Sequence, residues 1–174
     1  MTRSRPPRFK PLILLLAFLI APGNAGAQDK NFIYNNPSFG WSVVFSSRWK
    51  LEPRDRAFVR LIREEESALC AVHSQKVAFS TLTEFATAMQ TISAEILLSN
   101  SGLLAVEKSH KAIKAGSGEP GQQVIVALVP GGMTQRAYFL HEGTGIVIDC
   151  ETYVDNFNAL SAEFTAIQNS FSIK

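Results

Sequence analysis

Cys70-Ala71-Val72-His73 sets a thiol three residues from an imidazole, a spacing from which a cysteine nucleophile or part of a metal site could be built. The surrounding residues are strand-like, and on a strand side chains three apart point to opposite faces. A shared metal or a proton transfer between the two is therefore disfavoured. The plainer reading is a disulfide cysteine near an ordinary histidine. His110 and His141 are isolated in the sequence, with no His-x-His or His-Glu-x-x-His spacing, so zinc is unsupported. Ser46 and Ser47 lack a Gly-x-Ser-x-Gly elbow. Gly116, Gly118 and Gly121 are not in strand-to-helix order and no Lys-Ser/Thr pair follows, so a flexible hairpin loop fits better than a phosphate cradle. Asp149 and Glu151 share a strand face with Val147 and Tyr153. A carboxylate pair for acid–base work is one reading, a solvated sheet edge the plainer one. Glu64 to Glu66 reads as a solvated turn. No catalytic, cofactor-binding or metal-binding residue is assigned, and no cofactor is expected.

Cys70 and Cys150 are the only cysteines. In an oxidising compartment a lone pair most simply forms one disulfide, with two separate buried thiols as the alternative. Cys70 shares a face with Val72, and Cys150 with Ile146 and Ile148, so both should point toward a core. The expected Cα separation is about 4.4–6.8 Å.

The beginning of the chain supplies the compartment. Residues 1–10 carry Arg3, Arg5, Arg8 and Lys10 and no acid; Pro11 to Ile20 is apolar; Ala25-Gly26-Ala27 follows. This is the three-part layout of a secretory signal peptide, with cleavage expected between Ala27 and Gln28. The apolar run is about half of the ~20 residues that a spanning helix needs. An uncleaved anchor is the alternative. No cysteine follows the run and no Arg-Arg pair precedes it, so neither a lipoprotein nor twin-arginine export is supported. Removal of residues 1–27 turns a net charge of +2 into −2, with 13 basic and 15 acidic residues left. That excludes a basic nucleic-acid binder. The expected mature protein is periplasmic or secreted, a single domain over residues 28–174.

The elements that would hold these residues follow from periodicity. Phe39–Phe45, Ala57–Arg63 and Leu69–Val77 read as strands. Thr81-Leu82-Thr83-Glu84 is a capping box, and Leu82, Phe85, Met89, Ile92 and Ile96 then form one helical stripe, stopped by Asn100 and Gly102. Leu103–Ile113, with a helix as the alternative, Gln123–Val129, Thr134–His141 and Ile146–Tyr153 read as further strands, the last three a meander. Phe157, Leu160, Phe164 and Ile167 give a C-terminal helix, after which Phe171 and Ile173 alternate. Residues 28–38 read as polar, with aromatic insertions at Phe32 and Tyr34. Hairpin-linked strands with two amphipathic helices give the α+β class, an antiparallel sheet flanked by helices in an α/β/α sandwich.

Tyr34-Asn35-Asn36-Pro37-Ser38-Phe39-Gly40-Trp41-Ser42-Val43-Val44-Phe45, followed by Trp49, resembles the opening of PsbP-like domains. Phe164-Thr165-Ala166-Ile167-Gln168-Asn169-Ser170-Phe171 is similar to the closing helix and Ser-Phe tail of the same group. The resemblance covers most of residues 32–173. It departs at Ser46-Ser47-Arg48, where the family usually has proline and glycine before the tryptophan. The wider group takes in the Ran-binding Mog-type proteins and the envelope protein DcrB. It implies a non-enzymatic role in binding other proteins, and it carries over no functional residue.

The strongest charge feature is Arg48, Lys50, Arg54, Arg56, Arg60 and Arg63 against Glu52 and Asp55, a local excess of +4. It could meet an anionic partner or lipid headgroups; the alternative is an exposed segment balanced by acids elsewhere in the fold. The leading expectation is a non-catalytic envelope protein that binds another envelope protein. The alternatives are a small secreted hydrolase or hydrolase inhibitor, and peripheral membrane contact through the basic stretch.

Overall fold

The structure, a computed structural model, describes residues 30–174. The leader assigned to residues 1–27 and its cleavage site lie outside the described residues. In chain order the elements are β1 (Asn31–Asn36), β2 (Trp41–Ser46), β3 (Lys50–Pro53), β4 (Phe58–Arg63), β5 (Ala68–Lys76), α1 (Leu82–Ser101), β6 (Leu104–Lys114), β7 (Pro120–Val129), β8 (Gly132–His141), β9 (Thr144–Tyr153), α2 (Val154–Ser170) and β10 (Ser172–Ile173). Seven strands form an antiparallel sheet in the order β3-β4-β5-β9-β8-β7-β6, and β1-β2-β10 form a second, smaller one.

Alternation along the strands divides the large sheet into two faces. On one, Val59, Leu61, Cys70, Val72, Ile146, Ile148 and Phe139 are buried with Phe157, Leu160, Phe164 and Ile167 of α2. The small sheet closes this core through Trp41, Val43 and Phe45, and Phe171 stacks on Phe139 at a centroid distance of 5.0 Å. Burial of a side chain such as Phe164 or Phe171 stabilises by about 1.5–3 kcal/mol. On the other face, Val124, Tyr138 and Val147 meet Phe85 and Ala86 of α1. The large sheet thus lies between α1 and α2, as the α+β sandwich expectation requires.

α1 starts and stops where its sequence says. The Thr81 side chain accepts from the Glu84 amide at 3.2 Å, and the Glu84 carboxylate accepts from the Thr81 amide at 3.1 Å. Gly102, at φ 66°, donates its amide to the Leu98 carbonyl and ends the helix in the left-handed conformation that glycine adopts without steric penalty.

Three differences from the sequence expectations have physical causes. The polar run at Asn31–Asn36 is a strand because it pairs along its whole length with β2. The basic stretch contains β3, whose Pro53 is tolerated because β3 is an edge strand. The apolar stripe of α1 is buried only at its start: Ile92 and Ile96 are 46% and 53% exposed. α1 packs on β6, β7 and β8, and its later turns overhang the strip formed by β9, β5 and β4.

Candidate binding groove

The overhang creates a groove of about 460 Å³. One wall is α1, through Phe85, Met89, Ile92 and Ile96; the floor and far wall are Phe58, His73, Val147, Asp149 and Arg136 from β4, β5, β9 and β8. The register explains why these residues meet. Phe58 is opposite His73, His73 opposite Val147, and Asp149 opposite Arg136, so all lie on the α1 face. The Phe58 and His73 rings stack at 4.2 Å. Burial, its largest influence, lowers the His73 pKa from its ordinary value and favours the neutral ring.

Arg136 is the charged centre of the groove. It is 9% exposed, and its Nη2 donates to Asp149 at 2.5 Å. Burial disfavours its charge, but the adjacent Asp149 carboxylate outweighs that, and the net effect raises its pKa. The other Asp149 oxygen accepts from the Thr134 hydroxyl. With both oxygens engaged, Asp149 acts as an ion-pair anchor, not as a free base. Glu151 lies on the same face. Burial first, then the nearby Asp149 charge, raise its pKa. Asp149 and Glu151 are on β9, in the middle of the sheet between β5 and β8, so the solvated-edge reading of this pair is corrected. Arg136 Nε and the Tyr138 hydroxyl are buried without a hydrogen-bond partner among the described residues. Burial raises the Tyr138 pKa, and the neighbouring Arg136 charge partly offsets that rise.

Cys70 and Cys150 stand directly opposite each other on β5 and β9 and are joined by a disulfide. They are direct register partners on adjacent strands, and their Cα separation of 4.0 Å is shorter than the expected 4.4–6.8 Å range. Cys70 faces α2 while His73 faces α1, as the strand spacing predicts.

The six basic residues do not gather on one face. Arg63 points to the α2 face, where it contacts Glu163 at 2.8 Å and Glu66 at 2.5 Å; Arg48 also reaches Glu163. Lys50 lies near Glu52 and Glu64, and Arg54 pairs with Glu52 at 3.1 Å. Arg60 is on the α1 face opposite Glu52, and Arg56 is exposed in the turn before β4. Among the described residues no group of three or more His, Cys, Asp or Glu could hold a metal, and no helix is long and apolar enough to cross a membrane.

The groove and Arg136 were not identified from the sequence. Arg136 sits in a strand between Gln135 and Ala137 with no motif around it. The usable signal was the α1 stripe, which runs further than one end of a sheet needs.

No protein-family model and no curated protein sequence matches the chain. Among solved structures, it is similar to cyanobacterial PsbP (CyanoP) from Synechocystis, with a TM-score of 0.68 at 16% identity over 90% of this chain and 99% of that one. It is also similar to a mutant of the protein Mog1, with a TM-score of 0.51 at 12% identity over 83% of this chain and 96% of that one. At these identities the likeness is one of fold, and the chain has the PsbP-like fold shared by these two proteins.

Proposed function

We propose that the chain is a non-catalytic extracytoplasmic protein that binds another protein of the cell envelope. The observation that carries this reading is the groove beside α1. Ile92 and Ile96 are half-exposed at helical spacing beside a floor that includes Phe58 and Val147, where a stripe of this kind would ordinarily be buried. The polar groups of the groove favour binding over catalysis: Asp149 is tied to Arg136 and Thr134, and His73 stacks on Phe58. The Cys70–Cys150 disulfide supports an oxidising compartment, in line with a periplasmic or secreted location after cleavage between Ala27 and Gln28. The test is a crosslinking pull-down of the mature form from envelope extract. The reading requires recovery of a specific envelope protein. Recovery of none, or hydrolytic activity that tracks with the purified chain, would overturn it.

A further inference from the structure

The two faces of the large sheet are covered unequally. α2 and the small sheet close one face, whereas α1 covers β6, β7 and β8 of the other, reaches β9 through Phe85 at Gly145 and Val147, and leaves β4, β5 and the rest of β9 without a covering element among the described residues. Three strands about 4.8 Å apart make a strip roughly 10 Å across, close to the diameter of one α-helix. The flank of α1 along this strip presents Met89, Ile92 and Ile96, about two helical turns. Phe58 and Val147 supply apolar floor.

The charge balance gives the sign of the occupant. The ionisable groups lining the groove are Asp55, His73, Arg136 and Asp149. Arg136 is tied to Asp149, so Asp55 is the acidic group of the lining with no opposite charge beside it there. Arg54 turns away to Glu52, and Arg56 stands outside the lining. Beyond the groove, Glu151 and Arg60 on the same face offset each other.

We propose that the strip beside α1 receives an amphipathic helix of the partner protein, laid alongside α1 with its apolar face on Met89, Ile92, Ile96 and Phe58 and a lysine or arginine near Asp55. This rests on the protein-binding reading and specifies what the partner presents. Such a helix completes the layer that α1 leaves half-built, by the helix-in-groove mode of recognition.

The test uses two designed helical peptides as probes, one of leucine and lysine and one of leucine and glutamate, titrated into the mature protein. The leucine–lysine peptide should bind. Its amide shift perturbations in the protein's NMR spectrum should be confined to the α1 flank, β4, β5 and β9, a readout that needs no variant. Ile92→Glu/Ile96→Glu should weaken binding by at least about tenfold, in keeping with loss of central apolar anchors. Asp55→Asn should weaken it less. Equal binding of the leucine–glutamate peptide, perturbations on β6 or β1, or unchanged affinity of the double variant would overturn the proposal. So would a concentration-dependent dimer with a second copy seated on the strip. An envelope protein captured equally by wild type and by Ile92→Glu/Ile96→Glu would leave the protein-binding reading standing and remove the groove from it. Capture of nothing by either would remove the underlying reading.

Discussion

The backbone of Gly145 lies directly against the ring of Phe85: a Cβ at Gly145 would stand 2.6 Å from two carbons of that ring. Phe85 is fully buried and, with Ala86, is what α1 commits to the core. The close approach therefore sets the height at which α1 docks on β9 and so the depth of the groove. Gly145→Ala should force the helix or the ring aside and destabilise by about 1–3 kcal/mol, the usual range for overpacking. Urea unfolding measures this. An unchanged midpoint would mean that α1 can lift without loss and that the groove depth is not set here.

A second prediction concerns polar groups buried under α2. Gln168 is 0% exposed, and its Oε1 accepts from Gln123 Nε2 at 2.6 Å and from Gln135 Nε2 at 2.9 Å. Its own Nε2 donates to the Gln135 carbonyl at 2.8 Å. Gln168→Leu removes the acceptor and strands the Gln123 amide; Gln135 keeps a bond to Thr165 at 3.0 Å. The expected loss is about 1–3 kcal/mol for each buried group left unsatisfied. Thr165→Val should be milder, because Gln135 then retains Gln168. Equal midpoints for wild type and Gln168→Leu in urea would show that the network is replaceable by packing.

These residues mark where the sequence was legible and where it was not. The capping box at Thr81–Glu84, the αL stop at Gly102 and the stripe Phe157, Leu160, Phe164, Ile167 are local signals, and the structure uses each as read. The pairing of Cys70 with Cys150 was legible because strand alternation puts both on the core face. Gln123, Gln135 and Gln168 were not legible as a buried triad. A glutamine reads as a surface residue unless its partners are known, and these come from β7, β8 and α2. The groove was illegible for a related reason. Periodicity gives the apolar side of α1, but how many strands that side covers depends on the strand order, which places β9 between β5 and β8.

The Cys70–Cys150 link joins residues 80 apart in sequence. In the chain-entropy view, closing such a loop constrains the unfolded chain and stabilises by about 4–5 kcal/mol at most. Cys150→Ala should lower the unfolding midpoint under non-reducing conditions, and reductant should lower that of the wild type but not that of the variant. Non-reducing peptide mapping should find one Cys70–Cys150 linkage and no free thiol. A free thiol at Cys70 in the exported wild type would contradict the pairing.

The last prediction follows from Arg63, whose side chain is only 10% exposed and joins two carboxylates, Glu66 at 2.5 Å and Glu163 at 2.8 Å. The Arg63 hydrogen bond, the largest influence, holds the Glu66 carboxyl below its ordinary value of 4.5. Because the folded pKa is depressed, the unfolded chain binds the proton first as pH falls. The contribution of Glu66 to stability is therefore present above about 4.5 and is lost as pH drops through the folded pKa. Wild-type stability should fall through this acid window, and Glu66→Gln should flatten part of that fall while lowering stability at neutral pH. Urea midpoints measured from pH 3 to pH 7 decide the matter, within the range where acid unfolding of paired carboxylates occurs. Parallel profiles for wild type and Glu66→Gln would show that Arg63 holds α2 through Glu163 alone.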